Sequence, residues 1–369
     1  MNKNKLDAQQ NMKSVIQRIA TGPELSKNIS REEAKQTMLD ILNGDIDPVQ
    51  AAIFLIALRM KRETMDENLG VHDAIIQTTD CFDIKAETLI NIADPYDGFS
   101  RNLPSSLFLL PVLSELGYPI LSHGVLSVGP KYGCTHHLTL KELGYNSTNT
   151  LEEIAERLEN NKIGWAYADQ SIFNPRLHEL MELRRKIIKR PVITTVEVLV
   201  KPIKSKSDAF FTGFVHKPYP PIYLELSRNA DFSSASVIRG TEGGIIPSLR
   251  QTGKIHYYDP SSSEDEMYEV KPEDLGIDES SRAVDLPDSL KKKETSDKIE
   301  SKVSALDVAK AAAKDGMEAL SGKDGAMKSC IHLGATIILQ RMSGNDILQC
   351  SKEVLNVIDS GSAASRMKL

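Results

Sequence analysis

The stretch LINIADPYDG, residues 89–98, decides the fold. Its first five residues are a short apolar run followed by turn formers, which predicts a buried strand over 89–93. Asp94-Pro95-Tyr96-Asp97-Gly98 then makes a turn. An apolar helix follows over 105–116, Gly117-Tyr118-Pro119 breaks it, and a second strand is expected over 120–122. Strand, turn, helix, strand is the rhythm of a parallel sheet covered by helices. The rhythm returns with a helix around 223–228 and a strand at 235–239 that runs into a Gly-rich turn.

Working outward, the N-terminal side is helical. Ser30 and Glu33 have the spacing of a capping box, and Ala34, Met38, Ile41 and Leu42 share one face of the helix expected over 31–42. Asn43-Gly44 ends it, and Asp47-Pro48 opens the next over 49–60. That helix is apolar on most sides, as the centre of a bundle would be. A third follows over 65–78, and roughly the first 20 residues are an amphipathic helix or a frayed lead-in. The expected division is a helical domain over 1–80 and a larger α/β domain over 81–369. Helices at 151–160 and 175–189 form an insertion at about 150–200 that can pack back on the first domain. Residues 259–266 are acidic and Ser-rich, the tip of a hairpin, and 278–300 are a charged, exposed loop. Helices close the chain over 305–319, 324–342 and 347–360, and there is no internal repeat.

The 369 residues are 40% hydrophobic and 26% charged, an ordinary globular balance. A net charge of -6 excludes a chain that wraps nucleic acid with its whole surface, but it leaves room for a local basic groove. Cys81, Cys134, Cys330 and Cys350 form no CxxC pair, so reduced thiols are expected. The polar residues 1–10 have no apolar core of a signal peptide, and the apolar run 49–58 is too short to span a bilayer. A cytoplasmic protein with no membrane partner is expected.

Four segments can carry chemistry. In the turn 93–98, backbone N–H groups can face an anion, and Asp97 can orient a hydroxyl or act through a metal. Ser105 either caps the following helix or binds a phosphate or Mg²⁺. Residues 122–133, SHGVLSVGPKYG, are Gly-rich and long enough for a loop over a site, with His123 at a strand end that faces a crevice or fills a structural role. The adjacent His136 and His137 diverge in direction and do not share a metal. Between Arg176 and Lys206 nine Lys/Arg stand against three Glu, either a solvated face or an anion site. Arg239-Gly-Thr-Glu-Gly-Gly244 is a flexible turn or a ligand contact through Glu242.

In this order the segments resemble the anthranilate phosphoribosyltransferase family (glycosyltransferase family 3) over nearly the whole chain. Phe173-Asn-Pro175 and Leu183-Arg-Arg185 resemble its FHP and VRR elements, Pro272-Glu-Asp-Leu-Gly276 its PEDFG turn, and Ile358-Asp-Ser-Gly-Ser-Ala363 its IDSGAA terminus. The resemblance implies a nucleoside phosphorylase/phosphoribosyltransferase-type fold: an N-terminal helical bundle and an α/β domain with a mostly parallel central sheet. It also implies a site between the two and a homodimer formed through the bundle.

Set against the family's motifs, the phosphate loop GTGGDG stands as Ala93 to Gly98, keeping only Asp97 and Gly98. The NxS element keeps the metal-binding Ser105. KHGNR stands as Ser122-His123-Gly124-Val125-Leu126, with Lys131 available to compensate. The Mg²⁺-binding Asp-Glu pair aligns with Ile245 and Ile246, which cannot ligate a cation, so Mg²⁺ use is expected to be weakened and no cofactor is assigned. Arg184 is retained at the position of the anthranilate-contacting arginine, and Arg185 follows it. The segments His123-Gly124-Val125 and Gly240-Thr241-Glu242-Gly243 are similar to the anthranilate phosphoribosyltransferase-like paralogue branch, some of which is associated with nucleic-acid binding. Three readings stay open. One is a phosphoribosyl or related pentosyl transferase using Asp97, Ser105, His123 and Arg184 on a phosphorylated sugar, with the authentic anthranilate reaction absent or very weak. The second is a non-catalytic paralogue that binds single-stranded nucleic acid or another polyanion. The third is a binding protein for a different small anion.

Overall fold

The computed structural model describes residues 3–22, 24–260, 262, 264–294 and 298–368. Met1 and Asn2 of the lead-in, Ser261 and Ser263 of the hairpin tip, and Thr295, Ser296 and Asp297 of the charged loop lie outside them. Four helices open the chain: α1 (Lys3–Ile19), α2 (Arg31–Leu42), α3 (Pro48–Lys61) and α4 (Met65–Gln77). Their starts are set by local chemistry. Ser30 and Thr64 each close a capping box, with Glu33 and Glu67, and Asp47 caps α3 with Pro48 in its first turn. Met12, Met38, Phe54 and Leu58 are buried between these helices.

Nine strands follow: β1 (Phe82–Asp83), β2 (Thr88–Ala93), β3 (Ile120–Gly124), β4 (Trp165–Asp169), β5 (Ile203–Lys204), β6 (Ser207–Phe214), β7 (Ser234–Arg239), β8 (Gly253–Tyr258) and β9 (Glu266–Val270). β1 and β5 form a separate parallel pair, and the other seven build one sheet in the order β4-β3-β2-β6-β7-β8-β9. It is parallel from β4 to β7 and antiparallel at the β8 and β9 edge. A helical bundle joined to a larger, mostly parallel α/β body is therefore the fold, as the sequence predicts. Alternate residues of β2 part to the two faces of the sheet. Leu89 and Ala93 pack in the core shared with the bundle, and Ile90 and Ile92 in the core shared with the C-terminal helices. Among the described residues no helix is long and apolar enough to cross a membrane.

The region expected to hold only helices from 151 to 200 contains β4, and β6 in the middle of the sheet went unread. Both are buried along almost their whole length, so neither shows the polar alternation of a half-exposed strand. The single helix expected over 175–189 is two, Pro175–His178 and Met181–Ile187. Ile188 ends the second at a φ of 67°, and Pro191 bars its continuation. The helix expected over 105–116 begins as a tighter turn, Ser106–Phe108, and becomes α-helical over Leu109–Glu115. Ser105 makes no side-chain capping bond there, which removes the capping reading.

Candidate functional site

Because β2, β3, β4, β6 and β7 run parallel, their carboxyl ends open at one edge of the sheet, the usual place for a ligand crevice. A cleft of about 850 Å³ lies there, lined by Pro95 to Asp97 beyond β2, Phe214 to His216 at the end of β6, Arg239 to Gly243 at the end of β7, and Arg59 from α3. Three of the candidates meet in it. Arg190 donates to Asp97 at 2.6 and 3.1 Å, and Lys131 lies 3.4 Å from the same carboxylate. Lys131 is also 3.7 Å from Glu242. The Glu242 carboxylate, only 3% exposed, accepts backbone N–H bonds from Ser100, Arg101 and Asn102 at 3.1, 2.7 and 3.0 Å. Gly98 lets this loop turn, with a φ of 74°.

The other candidates lie elsewhere. His123, at the end of β3, is buried behind Tyr96, whose hydroxyl sits 2.6 Å from its Nδ1, while Nε2 finds no hydrogen-bond partner. Burial, with a smaller push from His136, drives its pKa down to about 3, so the ring is neutral. Gly124 passes under the Tyr167 hydroxyl, which a Cβ would approach to 3.2 Å. His136 turns to Ser106, Ser122 and Asp94, and His137 to Asp169 and Ser147, so the two rings do diverge. Ser105 lines a separate void of about 20 Å³ together with Ile245, Ile246, Leu103 and Cys330, and no carboxylate lines that void. Among the described residues no three His, Cys, Asp or Glu side chains converge as metal ligands.

Arg184 is not on the cleft wall. It is buried and makes a two-pronged pair with Glu197, both bonds 2.6 Å. Arg185 is exposed and pairs with Glu182. The basic run 176–206 is largely neutralised, because its members reach acids elsewhere: Arg190 finds Asp97, Lys201 finds Asp208 and Lys206 finds Glu87. The cations that do line the cleft are six arginines, Arg59, Arg101, Arg190, Arg239, Arg250 and Arg282, with Lys131, against Asp97, Glu242 and Asp285. Among the described residues the side chains of Arg239, Arg250 and Arg282 have no hydrogen-bond or ion-pair partner. Beside them stands a ladder of rings. His216 and Tyr219 lie 6.4 Å apart, Tyr219 and Tyr223 5.6 Å, and Arg59 donates to the Tyr219 hydroxyl at 2.7 Å. Sequence reading missed this wall. Arg239 stood at a readable strand end, but Arg250 and Arg282 carry no local signal.

Residues 13–79 match the helical bundle domain of the glycosyl transferase family. An uncharacterized protein of Aquifex aeolicus (strain VF5) is 33% identical over 224 residues, 60% of this chain and 65% of that one, just under two thirds of its length. The anthranilate phosphoribosyltransferase of Methanopyrus kandleri is 28% identical over 273 residues, 72% of this chain and 76% of the relative. The crystal structure of anthranilate phosphoribosyltransferase from Thermus thermophilus matches with a TM-score of 0.71 at 17% identity, over 97% of each chain. The Saccharomyces cerevisiae enzyme in complex with PRPP and Mg matches at 0.73 and 13%, over 97% of this chain and 96% of that one. The structural likeness carries the fold, and with the sequence matches and the bundle-domain match it places this chain in the anthranilate phosphoribosyltransferase/glycosyltransferase-3 superfamily.

Proposed function

We propose that this chain has kept the superfamily's scaffold without its magnesium-dependent transfer of phosphoribose to anthranilate, and that the cleft binds a polyanion, single-stranded nucleic acid. The observation that carries the reading is the charge of the cleft. Six arginines and a lysine face three carboxylates there, in a chain whose net charge is -6. Exposed guanidinium groups attract phosphodiesters, and the His216, Tyr219 and Tyr223 rings offer faces on which bases stack without sequence preference.

The loss of transfer chemistry is supported by what stands at the family's positions. A diphosphate leaving group needs its charge neutralised, and two buried isoleucines supply no ligand for a cation. Mg²⁺ does not fit the residues present, and no step is derived through it. An arginine already held by Glu197 has both prongs of its fork taken, so a substrate carboxylate would have to displace a buried internal one.

Fluorescence anisotropy of a labelled oligothymidylate tests the reading. Binding should weaken steeply as salt rises, and Arg239→Ala with Arg250→Ala should lower the log–log salt slope by about 2, roughly one per lost phosphate contact. Salt-independent binding, or none at low salt, refutes it, as does Mg²⁺-dependent turnover of phosphoribosyl pyrophosphate with anthranilate. Val49, Ile53 and Met60 are exposed along α3 and support pairing of two copies through the bundle, which light scattering after size exclusion checks.

A further inference from the structure

We propose that Glu242 is a displaceable internal anion, whose carboxylate fills a cradle of backbone amides that a phosphate group can occupy in its place. The cradle is three successive N–H groups. Arg101 donates to Oε1 at 2.7 Å, Asn102 to Oε1 at 3.0 Å and Ser100 to Oε2 at 3.1 Å, and the Ser100 hydroxyl adds a bond at 3.2 Å. Lys131 Nζ at 3.7 Å and Arg101 Nε at 3.9 Å flank the same carboxylate. Consecutive amides turned to one point, with cations beside them, select negative charge and oxygen acceptors without regard to whether carbon or phosphorus carries the oxygens.

Two features set this contact apart from a permanent staple. The first is the backbone of Glu242, at φ 54° and ψ 14°. Left-handed backbone is unfavourable for a glutamate, and its side chain supplies no bond to its own loop in return, because every bond it makes crosses to residues 100–102. The cradle is what holds the residue there.

The second feature is the flap on which it rides. Gly240 pairs with Pro247, and Thr241 N donates to Ile246 O at 3.1 Å, closing the base. That base has no room for a side chain, since a Cβ on Gly240 would stand 1.6 Å from the Gly244 oxygen. Gly243, at φ 89°, sits beside Glu242 at the tip. A fixed neck with a glycine at the tip lets the carboxylate leave while the strand end stays in place. Arg101, Asn102, Lys131 and Glu242 all line the large cleft, so an incoming anion reaches the cradle from solvent. The inference does not depend on nucleic-acid binding, and its probe contains none.

The test is isothermal titration calorimetry of the full chain with inorganic pyrophosphate, comparing wild type, Glu242→Gln, Glu242→Ala and Glu242→Ala with Lys131→Met. Removing the competing charge should tighten binding by about tenfold or more, and the added Lys131→Met should cancel most of that gain. Folded Glu242→Gln and Glu242→Ala proteins that bind pyrophosphate no tighter than wild type overturn the proposal. So does a gain that survives loss of Lys131, which would put the anion elsewhere. A crystal structure of the wild-type chain at saturating pyrophosphate decides the matter without any variant. Phosphate oxygens on the Ser100, Arg101 and Asn102 amides with Glu242 turned out support it, and Glu242 still seated there refutes it.

Discussion

Replacing Arg184 by alanine strands the Glu197 carboxylate in the interior. The two side chains are 2% and 1% exposed and are joined by two bonds of 2.6 Å. The other neighbour that reaches Glu197, the Gln170 amide, is 3.4 Å away and cannot take over. An uncompensated buried charge of this kind costs about 3–5 kcal/mol. A chain of 369 residues, at about 2.1 cal/mol/K of unfolding entropy per residue, should then melt about 4–6 °C lower. Arg184→Met with Glu197→Leu removes both charges and keeps the volume. Because Arg184 Nε already lacks a partner, the pair is imperfectly satisfied, and the double variant should recover most of the lost stability. Scanning calorimetry with urea unfolding at pH 7 measures both. A single variant that costs less than about 1 kcal/mol, the range of an exposed pair, refutes the reasoning. So does a double variant as unstable as the single. Arg184→Ala should leave oligonucleotide affinity where it was, since the residue does not line the cleft.

Acid should destabilise the chain before its carboxylates titrate. Burial lowers the pKa of His72 and His332 to about 4 and of His123 to about 3. Below the unfolded value near 6.5 the unfolded state binds protons that the folded state refuses, so this stability is present above that pH and is lost as pH falls, by up to about 1.4 kcal/mol per unit for each ring. Urea midpoints between pH 7.5 and 5.5 should fall accordingly, and less so in His332→Gln; a flat profile contradicts the assignment. With Ellman's reagent at pH 8 the native chain should expose one fast thiol, Cys81, because burial holds Cys134 and Cys330 up at about 12 and Cys350 is also enclosed. Two or more fast thiols would contradict this packing. Restoring acids as Ile245→Asp with Ile246→Glu should cost several kcal/mol, since both positions are buried, and Mg²⁺ should not raise the variant's Tm. A Mg²⁺-dependent rise would mean that a metal site persists.

What was legible in the sequence was local. Ser30 with Glu33, Asn43-Gly44 and Asp47-Pro48 mark helix ends through bonds that span two to five residues, so the helices of the bundle can be placed from sequence alone. β4 and β6 could not be, because a strand covered on both faces needs no alternation and its neighbours in the sheet are distant in sequence. The site divides in the same way. Asp97, Lys131 and Glu242 each stand in a recognisable loop, but nothing local says that Lys131 reaches both acids. Counting charges over 176–206 suggested a basic surface, and it failed because Glu87, Asp97 and Asp208, which absorb that charge, lie outside the window or answer it from within the fold.

Three carboxylates do the same physical task at three depths. Asp97 answers Arg190 and Lys131, Glu197 answers Arg184, and Glu242 answers the amides of residues 100–102. Each set of donors is of the kind that would hold a ligand's negative charge, and a set left enclosed and unanswered would cost the fold several kcal/mol. A chain that folds without its ligand must supply such counter-charges itself. Arg239, Arg250 and Arg282 are exposed and have no such obligation, since water solvates them. The positive charge that stays free is therefore on the open wall rather than in the depth of the cleft. That distribution suits an extended chain of phosphates laid across the opening better than a compact diphosphate drawn inside, and it makes displacement of Glu242 the step at which the inner cradle would join the outer wall.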